Sequence, residues 1–285
     1  MDTLCQQINV AFPTWDDAEA AALTHVAPLL EEADAHGLIT LWWFIRKAPC
    51  WRVRYLPAAD TAAAEEYLRR HLADLASAGH ILSATRVIYE PEVRAFGGAE
   101  AMDCAHQLFH SDSRHLLDHL TSTRHQPDGG HRCELAILLC SVLMRAAGQD
   151  WYEQGDIWAR VAAHREPALP HLDLHEKLRR LMSVDITTLC RPGAALADVA
   201  AWADAFSAAG SRLGDLAAEG RLHRGLRDIL AHHVIFTWNR HGLPHETQAV
   251  LARTAATVVF GDDPATSGPP TFPARSPSTC PTHGS

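Results

Sequence analysis

The sequence predicts an α+β domain: a strand-rich N-terminal third carrying a small, mostly antiparallel sheet, then a helical bundle-like remainder, then a disordered tail. Two observations set the strand-rich part apart. The segments "LITLWWFIRKAPCWRVRYLP", from Leu38, and "HILSATRVIYE", from His80, concentrate Ile, Val, Trp, Tyr and Thr and break at Pro49, Pro57 and Pro91, which is strand chemistry. After Gly97 and Gly98 the apolar spacing becomes helical and stays so to about residue 260. Strands grouped first and helices grouped afterwards mark α+β rather than alternating α/β.

Taken in order, "INVAF" near the N-terminus is a first strand. A helix follows, with Asp16 and Asp17 at its start, Ala20, Leu23, Val26, Leu29 and Leu30 at helical spacing, and Gly37 as its stop. The two aromatic strands turn at Pro49, and a second helix runs from a Thr61 or Asp60 cap to Gly79. Beyond the Gly-Gly pair, helices are predicted over 99–110, 113–120, 132–147, 150–164, 171–184, 195–209, 211–233 and 244–258. Residues 1–261 thus read as a single domain, and 262–285 hold too much Pro, Ser, Thr and Gly to fold. There is no internal repeat.

At 285 residues the chain buries a core without help from disulfides or metals. A formal charge of −9 argues against nucleic acid as a direct ligand, since phosphate binding needs a surplus of cations. No apolar run approaches the roughly 20 residues that span a bilayer. "MDTLCQQINVAF" has neither a basic start nor a signal-like apolar stretch, so a cytoplasmic protein off the membrane is expected. The seven cysteines are scattered and never spaced as CxxC, which signals neither a disulfide framework nor a zinc knuckle.

Several constellations carry chemistry. Arg52 and Arg54 stand two apart, so on a strand both guanidiniums leave one face while Val53 and Tyr55 leave the other. Two such planar forks clamp a carboxylate or phosphate, although from spacing alone the preferred reading is an edge strand whose arginines face water or pair with acids. Glu90, Glu92 and Arg94 precede the Gly-Gly turn, where a strand-to-helix loop places polar groups at the mouth of a site. His106 and His110 are four apart, but the stretch reads HQLFH, not HExxH, and no third ligand can be named; capping or hydrogen bonding is the preferred reading, and no metal is expected. His232 and His233 fit a core pair, helix-end partners or a general base equally. The stretch from Ala146 to Arg165 reads as a helix-helix corner, and GxSxG is absent.

Together "WWFIRKAPCWRVRY", "YEPEVRAFGGAEAMDCAHQLFHSDS", "CELAILLCSVLMRAAGQDWYEQGDIWARVAAHR" and "HHVIFTWNRHGL" resemble the thiopeptide-type bacteriocin biosynthesis family. Its members are similar to the C-terminal elimination domain of class I lanthipeptide dehydratases, and the likeness spans about residues 5–260. The resemblance implies a biosynthetic enzyme acting without a cofactor on a ribosomal precursor peptide with its leader. A larger, glutamyl-tRNA-dependent partner would first esterify Ser or Thr, and this chain would then remove glutamate to leave dehydroalanine or dehydrobutyrine. It further implies that Arg52 and Arg54 hold the glutamyl group. His233, with His232 as the alternative, would take the Cα proton, and Arg46, Arg94 and Arg240 would bind substrate.

One departure bears on the reaction. The eliminating enzymes carry an arginine directly before an aromatic-Gly-Gly turn, where this sequence has Ala95, with Arg94 one place earlier. That leaves room for the family's second reaction, a [4+2] cycloaddition of two dehydroalanines that builds a pyridine ring and expels the leader. There Tyr89, Glu92 and His233 would shuttle protons. A third reading, from outside enzymology, is a non-catalytic subunit that presents the precursor. A free edge strand pairing with the leader would serve all three, and a homodimer is the default assembly.

Overall fold

The computed structural model describes residues 5–124, 131–194 and 196–261. The expected disordered tail, 262–285, lies outside the described residues. Four strands, β1 (Gln6–Ala11), β2 (Ile39–Lys47), β3 (Cys50–Pro57) and β4 (Ser83–Val87), form one antiparallel sheet in the order β2-β3-β1-β4. Between β1 and β2, α1 (Ala18–Ala21) and α2 (Ala27–Ala35) flank a π-helical turn over Ala22–Val26. Helix α3 (Thr61–Ser77) links β3 to β4 and starts at Asp60, whose side chain accepts from Ala63 N. That is the expected N-cap chemistry.

Helices α4 (Ala99–Ser122), α5 (Arg132–Ala146), α6 (Trp151–Ala163), α7 (Leu172–Ser183), α8 (Ile186–Leu189), α9 (Ala200–Ala218), α10 (Leu226–Arg240) and α11 (His245–Phe260) make up the remainder. The α+β expectation therefore holds. Two boundaries differ. The helices expected over 99–110 and 113–120 are one, because Asp112 and Ser113 are buried and accept from other elements, Asp112 from Trp202 and Arg240 and Ser113 from Phe44 N, and so do not break the helix. The helix expected over 211–233 does not exist as such: α9 runs through Gly210, and α10 starts afresh after the 219–225 loop. Gly210 is there for close packing, since a Cβ would lie 2.3 Å from Leu143 O of α5. A helix tolerates the roughly 1 kcal/mol cost of glycine where a neighbour comes that near.

The sheet has two unlike faces. Ile8, Val10, Trp42, Phe44, Trp51, Val53 and Tyr55 point into the main core. Gln7, Asn9, Trp43, Ile45, Arg52 and Arg54 occupy cross-strand positions on the other face, as the two-residue period requires. On that face Trp43 packs with Phe96, Met102, Ala105 and Phe109, and Phe236 of α10 closes the cluster. Four aromatic side chains from a strand, a loop and two helices thus fix the sheet, the 89–98 loop and α10 against α4.

The cations in the aromatic segment have separate destinations. Arg46 is buried: its Nη1 pairs with Glu19, its Nε donates to Arg240 O at 2.8 Å, and its guanidinium lies over the Trp51 ring at 4.6 Å. It joins the helix before β2 to the end of α10. Two of its nitrogens are thus bonded inside the protein, while Nη2 has no hydrogen-bond partner among the described residues.

Candidate functional site

Arg52 and Arg54 leave the same face of β3, as their spacing predicts. Arg54 Nε donates to Gln7 Oε1 at 2.7 Å, and Gln7 Nε2 in turn donates to Asn9 Oδ1 at 2.9 Å. The Arg54 guanidinium stacks 4.6 Å from the centre of the Tyr89 ring. Its two terminal nitrogens have no hydrogen-bond partner among the described residues, and Arg52 has no such partner at all. One fork is thus held in place by a side-chain bond and a ring, with its outer donors free. Burial lowers the Arg54 pKa, the neighbouring Arg52 adds to this, and Tyr89 and Glu92 oppose it. A guanidinium stays charged at neutral pH regardless.

Tyr89 is the hinge between the sheet and α4. Its Oη lies 2.9 Å from His106 Nε2, and its ring meets that of Trp43 at 5.8 Å. Burial pushes the phenol well above its ordinary value, Arg54 pulling the other way, so it stays protonated. Burial, helped by Arg54, brings His106 down to about 4. Glu92, on the loop after Tyr89, lies 3.6 Å from His232 Nε2 in the middle of α10. His232, then burial opposing it, then Arg54 and Lys47 together hold the Glu92 carboxyl below the usual carboxylate range.

The two adjacent histidines differ sharply. His232 is partly exposed, faces Glu92, and has Phe96, Phe236 and His164 around its ring. His233 is 0% exposed, with neither ring nitrogen bonded to protein and with Phe96 and Phe109 against its ring. Burial, then Arg240 and His232, bring its pKa down to about 3. A base has to reach the proton it removes; of the two, His232 holds the partly open position and His233 the closed one.

Arg240 is likewise turned inward. It is wholly buried, its Nε donates to Asp112 Oδ2 at 2.7 Å, and its guanidinium lies over the Phe109 ring at 4.7 Å. His241 Nε2 at 3.2 Å and Trp202 Nε1 at 2.9 Å complete the shell around Asp112 Oδ1. Burial opposes ionisation of Asp112, but Arg240 and His241 outweigh it and keep the carboxyl below its ordinary value. The network ties the end of α10, and with it the helix that carries His232, to α4, while Arg240 Nη1 and Nη2 have no hydrogen-bond partner among the described residues. Arg94 is exposed on the loop; its carbonyl accepts from Gly97 N, and its side chain has no hydrogen bond or ion pair among the described residues.

Sequence reasoning passed over two residues here. Asp112 stands near His110 in the chain with nothing local to mark it, since its partners are 90 to 129 residues downstream. Arg224, in the loop before α10, donates from Nη1 to Ala95 O at 3.1 Å. A guanidinium therefore does stand at the turn, delivered by another part of the chain. Gly97 lets α10 pack closely against the turn: its φ is +90°, and a Cβ would lie 2.3 Å from Ile229 Cδ1. Two of the α4 histidines have protein partners: His106 bonds Tyr89, and His110 Nδ1 lies 3.1 Å from Trp42 N. Among the described residues no group of three His, Cys, Asp or Glu is arranged to hold an ion.

The neutral imidazoles have a measurable consequence. His106 and His233 have folded values below the ordinary imidazole pKa of about 6.5. The unfolded chain then binds more protons, so stability is full above about pH 6.5 and falls as pH drops toward 4. Thermal unfolding at pH 7 and pH 5 is expected to show the lower midpoint at pH 5, with a smaller drop in His106→Gln, whose amide still reaches Tyr89.

A sheet face presenting two guanidiniums beside a carboxylate-histidine pair defines a site for an anionic group next to a proton acceptor. Residues 8–259 match the family described as lantibiotic biosynthesis dehydratase C-term, and the chain belongs to that family. Two solved structures share the fold. One is the tRNA-dependent lantibiotic dehydratase MibB from Microbispora sp. 107891, at 17% identity and a TM-score of 0.71 over 90% of this chain and 28% of that one. The other is TsrL, at 18% identity and a TM-score of 0.55 over 90% of this chain and 94% of that one. The chain thus spans little more than a quarter of MibB and nearly all of TsrL. No curated protein matches. No helix among the described residues is long and apolar enough to cross a membrane.

Proposed function

We propose that this chain modifies a ribosomal precursor peptide in the making of a lanthipeptide or thiopeptide, by eliminating glutamate from glutamylated Ser or Thr. The observation that carries the reading is the pair Arg52 and Arg54, with free donors on one face, within electrostatic reach of Glu92 and hence of His232. In the reaction a base takes the Cα proton, the Cα–H electrons form the Cα=Cβ bond, and the Cβ–O bond breaks to release glutamate. Negative charge builds on the departing carboxylate, where Arg54, oriented by Gln7 and Tyr89, is placed to receive it with Arg52 beside it. Such preorganised donors act most strongly where water is excluded. His232 is the proton acceptor and Glu92 orients it.

The match to only 28% of MibB supports a division of labour. A larger, tRNA-dependent partner would attach glutamate, and this chain would act on the product. Ala95 favours a second reading, cycloaddition of two dehydroalanines with leader release. Against it, Arg224 reaches the same turn.

The test uses a synthetic peptide carrying one glutamylated serine, read by mass. His232→Ala is expected to lower kcat by roughly 10²–10⁴-fold, the usual contribution of a general base. His233→Gln, which places a bulky amide among Phe96 and Phe109, is expected to lower the thermal midpoint while changing kcat far less. Full turnover by His232→Ala would remove that histidine from the chemistry.

A further inference from the structure

The sheet has one closed edge and one open edge. Along β2 the outer backbone is covered by α4: Trp42 N has His110 Nδ1 at 3.1 Å, and Phe44 N donates to Ser113 Oγ at 3.3 Å. Along β4, at the opposite edge, residues Ser83 to Arg86 are exposed, and among the described residues no strand pairs with its outer side. Leu82 and Ile88, at its two ends, are 66% and 88% exposed. Bare edges invite pairing, and proteins usually blunt them with proline, charge or a cover. Here there is no proline, and the one charge, Arg86, is engaged by Glu65 and Gln6.

Two clefts flank that edge. One, of about 480 Å³, runs between β4 and α3, where Ala84 and Arg86 face Leu72, Ala76 and Tyr55. The other, of about 940 Å³, opens at the end of β4, where Val87 and Ile88 stand with Leu41, Leu56 and Tyr89. Successive side chains of a strand leave opposite faces. A strand added to β4 would therefore direct alternate residues toward the α3 cleft and the rest toward the other face. Tyr89 and His106 line the larger cleft, and the Tyr89 ring also carries the Arg54 guanidinium, so the cleft borders the candidate site at Tyr89.

We infer that the outer edge of β4 docks an extended segment of the peptide substrate, which joins the sheet as a fifth strand and leads the reacting residue past Tyr89 to Arg54. This rests on reading the chain as a peptide-modifying enzyme. Continuity between edge, cleft and site selects the peptide over a second copy of the chain, whose β4 would pair without entering the site. Backbone hydrogen bonds supply affinity and the two clefts select side chains. The α3 cleft, lined by Leu72, Ala73, Ala76 and Tyr55, takes small or apolar ones.

The test uses the full chain and a fluorescent peptide of alternating valine and threonine ending in a glutamylated serine. Two derivatives are N-methylated on complementary sets of alternate amides. An edge strand reads only every second amide of its neighbour, so one derivative is expected to bind like the parent and the other roughly tenfold or more weaker. The parent peptide is expected to slow amide hydrogen exchange across Ser83–Val87. No binding by the parent, equal binding by both derivatives, or protection confined to α10 and the 89–98 loop would overturn the docking strip. So would protection of β4 that rises with protein concentration in the absence of peptide, which would assign the edge to a second copy. Glutamate release is followed in parallel. A peptide that pairs with β4 but keeps its glutamate sinks the elimination reading alone, whereas release without β4 protection sinks the docking strip alone.

Discussion

Arg54→Lys is expected to lower kcat for glutamate elimination by about 10²–10³-fold, the loss seen when one preorganised donor is taken from a developing anion. Lysine keeps the charge but not the planar fork, so it cannot both donate to Gln7 Oε1 and present parallel donors outward. It also loses the stacked arrangement on Tyr89. The fold is expected to stand, because the adjacent cluster of Trp43, Phe96, Met102 and Phe109 does not depend on the fork. Arg52→Lys acts in the same direction, and steady-state kinetics with a matched thermal melt for each variant checks both. Wild-type turnover by Arg54→Lys would mean that the clamp is not where the leaving group goes.

Asp112→Asn is expected to cost about 3–5 kcal/mol, because it leaves Arg240 as an uncompensated buried charge. At roughly 2–4 °C per kcal/mol for a chain of this size, the thermal midpoint falls by about 6–20 °C. The pH dependence has a definite sign. The folded Asp112 carboxyl lies below its unfolded value, near 3.9. Its contribution is therefore present above that pH and lost as pH falls through the folded value. The gap between wild type and Asp112→Asn is expected to be constant above about pH 5 and to narrow below about pH 4. A pH-independent gap would show that the charge is not what the network uses.

These two residues also show what a single sequence carries. The parity of Arg52 and Arg54 was legible because a strand's period is two, and once "WRVRY" reads as a strand both guanidiniums must share a face. The strands themselves were legible from their β-branched and aromatic residues. Their cross-strand partners Gln7 and Asn9 were not, since register depends on a strand more than forty residues away. The destinations of Arg46 and Arg240 were hidden for the same reason: each pairs with an acid on a distant element, and a cation destined for burial looks no different in sequence from one destined for substrate. His232 and His233 are neighbours in the chain, but one helical step of about 100° separates the partly open face of α10 from its buried face. Gly210 was taken for a break because the approach of α5 is a tertiary fact.

The most direct measurement is the mass of a glutamylated serine peptide before and after incubation with the chain. Elimination requires the loss of one glutamic acid to leave dehydroalanine, with no added cofactor, and no such loss with Arg54→Lys. If that peptide stays intact while a peptide bearing two dehydroalanines is converted to a pyridine with release of its leader, the chain is a cyclising enzyme and the elimination reading is wrong.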